Sequence, residues 1–159
     1  MAPARGARAI RPLGFDGPVL ATWQTAFLVF GPFIPTLGSM KVVMLVEDDD
    51  ETRESLGELL EEAGYTAIVA ENGSAAWKLL EQREGRCDVI LLDLMMPVMN
   101  GWDFRRRQRA DPRFSAIPVL VMSAGAHMAS VADELGAADY IPKPIEIGVL
   151  LEMLQRHCR

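Results

Sequence analysis

The chain has 159 residues, half of them hydrophobic, and a formal net charge of −6, which suits one domain with a proper core and a modest extension. Residues 1–39 carry three arginines and one aspartate, a net of +2, so residues 40–159 carry −8. So acidic a domain repels nucleic acid phosphates, which argues against direct DNA or RNA binding. The two cysteines, Cys87 and Cys158, lack metal-ligand spacing and predict free thiols in a reducing cytoplasm.

Residues 1–39 differ in kind from the rest of the chain, because they hold five of its ten prolines and lack alternating strand and helix patterns. The apolar stretch over residues 19–30 falls short of the roughly 20 residues that a spanning helix needs, and Gly31-Pro32 ends it. We therefore expect no membrane span. We predict a disordered extension, which a misassigned start upstream of Met40 would explain, while a partner-docking segment and membrane attachment stay open as alternatives.

From Met40 onward, short apolar runs alternate five times with segments of helical periodicity. The runs that predict strands are residues 42–46, 66–70, 89–92, 118–122 and 139–141. Asn72 or Ser74 is expected to cap the second helix, and Gly136 to end the fourth. The alternation predicts an α/β fold: a doubly wound, five-stranded parallel sheet in a (βα)5 arrangement, with helices on both faces.

The third predicted helix carries the only basic cluster, which consists of Arg105, Arg106, Arg107 and Arg109. A run of charges on a helix usually forms a solvated face. We therefore expect these arginines to form a solvated face of the helix.

Polar residues follow four of the five predicted strands. Glu47 and Asp48 follow the first strand, Asp93 the third, Ser123 the fourth and Lys143 the fifth. The carboxyl ends of parallel strands meet at one edge of such a sheet, so these side chains should converge there. Three carboxylates in one place favour a cation with oxygen ligands, and Mg²⁺ fits best. A carboxylate can attack phosphorus, and a lysine and a hydroxyl can bind phosphoryl oxygens, so the set suits phosphoryl transfer through an aspartyl phosphate.

Four motifs occur in the order and at the separations that are typical of one family. They are Val46-Glu47-Asp48, Asp93-Leu94-Met95-Met96-Pro97 with Gly101, Val121-Met122-Ser123-Ala124, and Tyr140-Ile141-Pro142-Lys143-Pro144. On these motifs, residues 40–159 resemble the receiver domain of two-component response regulators, in the stand-alone CheY-like form. The resemblance implies a flavodoxin-like sheet with strand order 2-1-3-4-5.

The resemblance also implies a phosphoacceptor and a metal site. Asp93 is the implied phosphoacceptor and contributes to Mg²⁺ binding. Asp48 would bind the ion directly and Glu47 through water. The main-chain carbonyl of Met95 would be a further ligand.

Three more residues take roles from the resemblance. Lys143 would contact the phosphoryl group and precede Pro144 through a cis peptide bond. Ser123 would supply the switch hydroxyl and Tyr140 the switch aromatic side chain. Together they would reshape the face formed by the fourth helix, fifth strand and fifth helix.

The implied function is that of a signalling protein and not of an enzyme. It would accept a phosphoryl group from a histidine kinase or histidine phosphotransfer protein, promote that transfer, and lose the group by slow self-dephosphorylation. Because no residues follow Arg159, we expect a stand-alone cytoplasmic receiver that acts on a downstream protein target, with phosphorylation-dependent dimerisation left open.

Other functions fit the residues less well. Magnesium-dependent aspartyl-phosphate hydrolases need a second aspartate where this chain has Met95. A calcium loop starting at Asp48 fails, because its sixth and twelfth positions are Arg53 and Leu59. A flavin-binding module would want a phosphate-binding loop where the acidic cluster lies. The alternative that stays open is a phosphorylation-independent interaction adaptor on the same fold.

Overall fold

The computed structural model describes residues 40–125 and 127–158, and they form a five-stranded parallel sheet in the order β2-β1-β3-β4-β5. The strands are β1 (Val42–Val46), β2 (Thr66–Ala70), β3 (Val89–Asp93), β4 (Val119–Ser123) and β5 (Asp139–Pro142). The helices are α1 (Asp50–Glu62), α2 (Gly73–Gln82), α3 (Gly101–Ala110), α4 (Met128–Leu135) and α5 (Ile147–His157). The predicted fold class and strand order are confirmed.

Two apolar layers enclose the sheet, because its central strands are buried on both faces. One layer packs α1 and α5 against the sheet, with Leu60 and Leu154 fully buried. The other packs α2, α3 and α4, with Leu80 and Phe104 in its interior. This two-sided burial explains why β1 and β3 are continuous apolar runs without alternation.

The helix ends follow local side-chain chemistry. Asp49 caps α1 by accepting a hydrogen bond from the backbone N–H of Thr52 at 2.8 Å, and Asn72 caps α2 in the same way. Gly136 ends α4 in the left-handed conformation, as predicted. The last helix, α5, begins at Ile147, after an N-cap residue, Glu146, that makes no side-chain capping hydrogen bond.

The predicted solvated face of α3 is wrong for Arg105, which is only 6 % exposed. Its Nε donates to the carbonyl oxygen of Leu135 at 3.1 Å, and its other nitrogens bond to Gly136 and Gln108. Arg109 donates to the same Leu135 carbonyl at 3.2 Å. These arginines bind the last carbonyl groups of α4, where the helix dipole is negative, so they join α3 to α4.

Within the part of the chain that the structure describes, no helix is long and apolar enough to cross a bilayer. The predicted extension over residues 1–39 lies outside the described residues and stays a prediction.

Candidate functional site

The sheet register brings the predicted polar residues to one edge. Asp93 is the last residue of β3 and is in register with Met122, one residue before the end of β4. Ser123 ends β4 opposite Pro142 of β5, and the N–H of Lys143 donates to the Ser123 carbonyl at 2.9 Å. The predicted convergence at the carboxyl ends of the strands is therefore present.

Lys143 forms the centre of the polar contacts. Its Nζ donates to Glu47 Oε2 at 2.8 Å and to Asp93 Oδ1 at 3.0 Å. Burial alone lowers the pKa of the Lys143 ammonium, but these two carboxylate contacts outweigh burial and raise the pKa above its ordinary value. The lysine therefore stays charged at neutral pH and links β5 to β1 and β3.

The three predicted carboxylates form one cluster. Ligand oxygens of Glu47, Asp48 and Asp93 all lie within 4.8 Å of one another. Glu47 and Asp93 are buried, while Asp48 faces solvent. With Lys143 counted, the group carries two more negative charges than positive ones. Hard oxygen donors, excess negative charge and one solvent-facing ligand fit a magnesium ion that keeps part of its water shell.

The loop after β3 is held close to α3. The backbone N–H of Gly101 donates to the Leu94 carbonyl at 3.0 Å. A Cβ at Gly101 would lie 2.7 Å from the Cα of Leu94, so only glycine allows this approach. Asp93 Oδ2 in turn accepts a hydrogen bond from the backbone N–H of Met95 at 3.1 Å. The carboxylate of Asp93 is thus oriented by its own loop as well as by Lys143.

The same loop exposes apolar side chains beside the carboxylates. Met95 is 71 % exposed and Val98 87 % exposed. Val98 also has a φ of 68°, which is unusual for a β-branched residue. The metal-ligand role of the Met95 carbonyl stays a prediction.

The predicted switch residues lie on one face of the sheet. Val121 and Tyr140 are register partners, and both pack in the layer that contains α4. Ser123 lies two residues after Val121, so strand alternation places it on that face as well. Its Oγ donates to the Ala124 carbonyl at 3.4 Å and is largely buried. The placement is compatible with a coupled pair, and the switch role itself stays a prediction.

Two further features bear on the site. The Lys143–Pro144 peptide bond is cis, as the resemblance implied. Arg53, which was not predicted to belong to the site, donates to the carbonyl oxygens of Glu47 and Asp48. Its position five residues after Asp48, in the first turn of a helix, was the available signal.

Comparison with known proteins agrees with this geometry. The family described as "Response regulator receiver domain" matches residues 43–155. The chain belongs to this family. Receiver domains are phosphoacceptors of two-component signalling, they bind Mg²⁺ at an acidic pocket, and they interact with histidine kinases or phosphotransfer proteins and with downstream targets.

The chain is similar to receiver domains within longer proteins. The chain is 41 % identical over 107 residues to the transcriptional regulatory protein CpxR of Escherichia coli, and the match covers 66 % of this chain and 44 % of CpxR. It is 36 % identical over 121 residues to the two-component response regulator-like protein PRR73 of Oryza sativa, covering 73 % of this chain and 16 % of PRR73. The chain thus spans less than half the length of these relatives.

Among structures, the chemotaxis protein CheY4 of Vibrio cholerae superimposes with a TM-score of 0.68 at 29 % identity, over 75 % of this chain and 99 % of CheY4. The receiver domain of HemR from Leptospira biflexa superimposes with a TM-score of 0.65 at 34 % identity, over 74 % of this chain and 94 % of that one. Both contain the fold that the sequence predicted.

Proposed function

We propose that Asp93 accepts a phosphoryl group from a histidine kinase or a histidine phosphotransfer protein, and that the modified domain signals through a changed protein-binding face. The observation that carries this proposal is the contact of Lys143 Nζ with both Glu47 and Asp93. These two carboxylates belong to the cluster whose ligand oxygens lie within 4.8 Å of one another. A buried carboxylate can act as a nucleophile toward phosphorus, and the lysine fixed beside it would offset part of the negative charge that the phosphoryl group brings.

The proposed transfer is an in-line displacement at phosphorus. A carboxylate oxygen of Asp93 forms a bond to phosphorus while the bond from phosphorus to the donor's imidazole nitrogen breaks. The electron pair of that bond stays on the imidazole, which takes up a proton. Glu47, Asp48 and Asp93 would hold Mg²⁺, which neutralises the phosphoryl oxygens when bound. Lys143 would move from its carboxylate contact to a phosphoryl oxygen.

The switch follows from the added charge. Phosphorylation adds roughly −1.5 to −2 charges and three strong acceptor oxygens. The Ser123 hydroxyl now donates to the Ala124 carbonyl and would turn to one of these acceptors. Tyr140 lies on the same face of the sheet, so its ring would follow, and the surface of α4, β5 and α5 would change. Binding of a downstream protein, or of a second copy, would report this change.

The setting of the domain is also part of the proposal. A cytoplasmic location is supported by Cys87 and Cys158, which are both free. Stand-alone architecture stays a prediction, since CpxR and PRR73 extend well beyond the matched region. The mass of the native protein, taken from its source cells, would test it.

The test is an intact-mass measurement after incubation with Mg²⁺ and acetyl phosphate. We expect one phosphoryl adduct on the wild type, and none on Asp93→Asn or after removal of Mg²⁺ by chelation. Asp103→Asn is the matched control, because the Asp103 side chain is exposed in the first turn of α3, and this variant should be modified like the wild type. A folded wild type that binds Mg²⁺ and gains no adduct from acetyl phosphate or from a phosphorylated histidine protein would favour the phosphorylation-independent adaptor.

A further inference from the structure

Arg53 donates hydrogen bonds to the main chain of the acidic loop, a name that we give to residues 47–49. Its backbone N–H donates to the Asp49 carbonyl at 2.9 Å, and its Nη1 donates to the Glu47 carbonyl at 2.9 Å and the Asp48 carbonyl at 3.2 Å. Its Nη2 pairs with the carboxylate of Asp50. Three successive carbonyl oxygens therefore share one donor residue, whose side chain is only 18 % exposed.

Arg53 and Lys143 use their charges in different ways. Lys143 binds carboxylate oxygens, which are the atoms that a divalent cation would use. Arg53 binds main-chain oxygens of Glu47 and Asp48 and does not contact their carboxylates, which lie in the cluster with Asp93. Among the described residues, Arg53 is also the one side chain that donates to either of these two carbonyls.

We propose that Arg53 is a positioning residue for the magnesium site, which fixes the acidic loop so that the Glu47 and Asp48 side chains meet Asp93. The proposal rests on the proposed function, because it assumes that the carboxylate cluster binds Mg²⁺. Groups that orient metal ligands from behind have large effects on metal affinity, although they never touch the ion.

The direction in which the Mg²⁺ dissociation constant changes when Arg53 is replaced separates a positioning role from a charge effect. A guanidinium near a metal site repels the incoming cation, so its removal should tighten Mg²⁺ binding if charge alone matters. If Arg53 holds the loop, its removal should weaken binding, since the two ligands lose their fixed separation. The two roles thus predict opposite changes of the dissociation constant.

The experiment is a titration of the full chain with MgCl2, followed by two-dimensional NMR amide shifts. The variants are Arg53→Gln and Arg53→Lys, and the control is Arg86→Gln, which removes an arginine with an 81 % exposed side chain paired to Glu84. We expect Arg53→Gln to weaken Mg²⁺ binding by on the order of tenfold. Arg53→Lys keeps the charge but has a smaller donor group, and it should weaken binding by less. Arg86→Gln should match the wild type.

The outcomes test the positioning role of Arg53 separately from the proposed function. Tighter binding by Arg53→Gln, or an unchanged dissociation constant with only a lower melting temperature, would overturn the positioning role. If Arg53→Gln does not fold, Arg53→Lys decides: binding like the wild type overturns the role, and weaker binding supports it. A folded wild type that binds no Mg²⁺ would instead count against the proposed function, on which this inference rests.

Discussion

Two cationic side chains of this receiver domain, the buried Arg105 and the partly buried Lys143, have opposite surroundings. Lys143 contacts the carboxylates of Glu47 and Asp93, and its pKa is raised. Arg105 contacts neutral oxygens at the end of α4; burial, with a smaller contribution from the charge of Arg109, lowers its pKa to about 10. Both remain charged at neutral pH. We call the strand edge with Glu47, Asp93 and Lys143 the reactive edge, and it carries formal negative charges. We call the contact of Arg105 with the end of α4 the structural joint, and there the arginine meets carbonyl dipoles instead.

The comparison predicts the largest loss of stability at the structural joint. Arg105→Met leaves the Gly136 carbonyl and the Gln108 amide oxygen without the Arg105 donor, and leaves the Leu135 carbonyl with Arg109 alone. The free energy of unfolding should therefore fall by about 3 kcal/mol. Urea denaturation measures it, and Arg106→Met is the control, because that side chain is 78 % exposed and should change little. Equal effects of the two substitutions would show that Arg105 is not a joint.

The next effect concerns the reactive edge and depends on Mg²⁺. Lys143→Met leaves Glu47 and Asp93 buried without their cation, which should cost about 2 kcal/mol in the absence of Mg²⁺. The loss should shrink when Mg²⁺ is added, because a divalent cation relieves the same repulsion, and Mg²⁺ should bind more tightly than to the wild type. Urea denaturation with EDTA or MgCl2 measures both effects. A loss that Mg²⁺ does not reduce would contradict a shared carboxylate site.

The two regions also differ in how they use left-handed backbone. Gly136 at the joint has a φ of 59°, which suits glycine, whereas Val98 beside the reactive edge has a φ of 68°. Val98→Asn should raise the free energy of unfolding by about 1 kcal/mol, since asparagine tolerates this conformation better. Gly136→Ala should lower it by a similar amount, because its Cβ would also meet the Arg109 guanidinium at 3.1 Å. Thermal unfolding of both variants measures these two changes. A Val98→Asn protein that is less stable than the wild type would contradict backbone strain at Val98.

The smallest expected effect is the pH dependence of the Lys143 contribution. The folded-state pKa of Lys143 is raised, so its contribution is fully present below the ordinary value of 10.5 and is lost as the pH rises through the folded value. The stability difference between wild type and Lys143→Met should therefore stay constant from pH 7 to about 9.5 and narrow at higher pH. Urea denaturation of both proteins at a series of pH values checks this. A difference that narrows already below pH 9 would mean that the lysine pKa is lowered by burial.

Much of the fold was predictable from local patterns. The bounds of β1 and β2 agree with the prediction, and β3 extends one residue further, to Asp93. Apolar runs that are buried on both faces, and caps such as Asn72 and Gly136, depend on neighbours in sequence, which is why they can be read without a structure. The start of α5 at Ile147 has no such local signal, because its N-cap residue, Glu146, makes no side-chain capping hydrogen bond.

The sequence predicted which strand-end residues come together, but it did not predict the contacts that the arginines make. The convergence of Glu47, Asp93 and Lys143 follows from the rule for parallel strand ends, and their hydrogen bonds bear it out. The part of Arg53 in the acidic loop, and the burial of Arg105, were missed. An arginine on a helix reads as solvated, and only the atoms that face it decide otherwise.

The sequence by itself determined the order of strands and helices, the strand-end position of each polar residue, and the family, because these depend on periodicity and on short motifs. The tertiary structure decided which charges became partners. Lys143 and Glu47 are 96 residues apart in the chain yet 2.8 Å apart in space, and Arg105 reaches the end of α4 across 30 residues. The physical reason is that burial and hydrogen bonding act over a few ångströms, so a side chain's role is set by what the fold brings next to it.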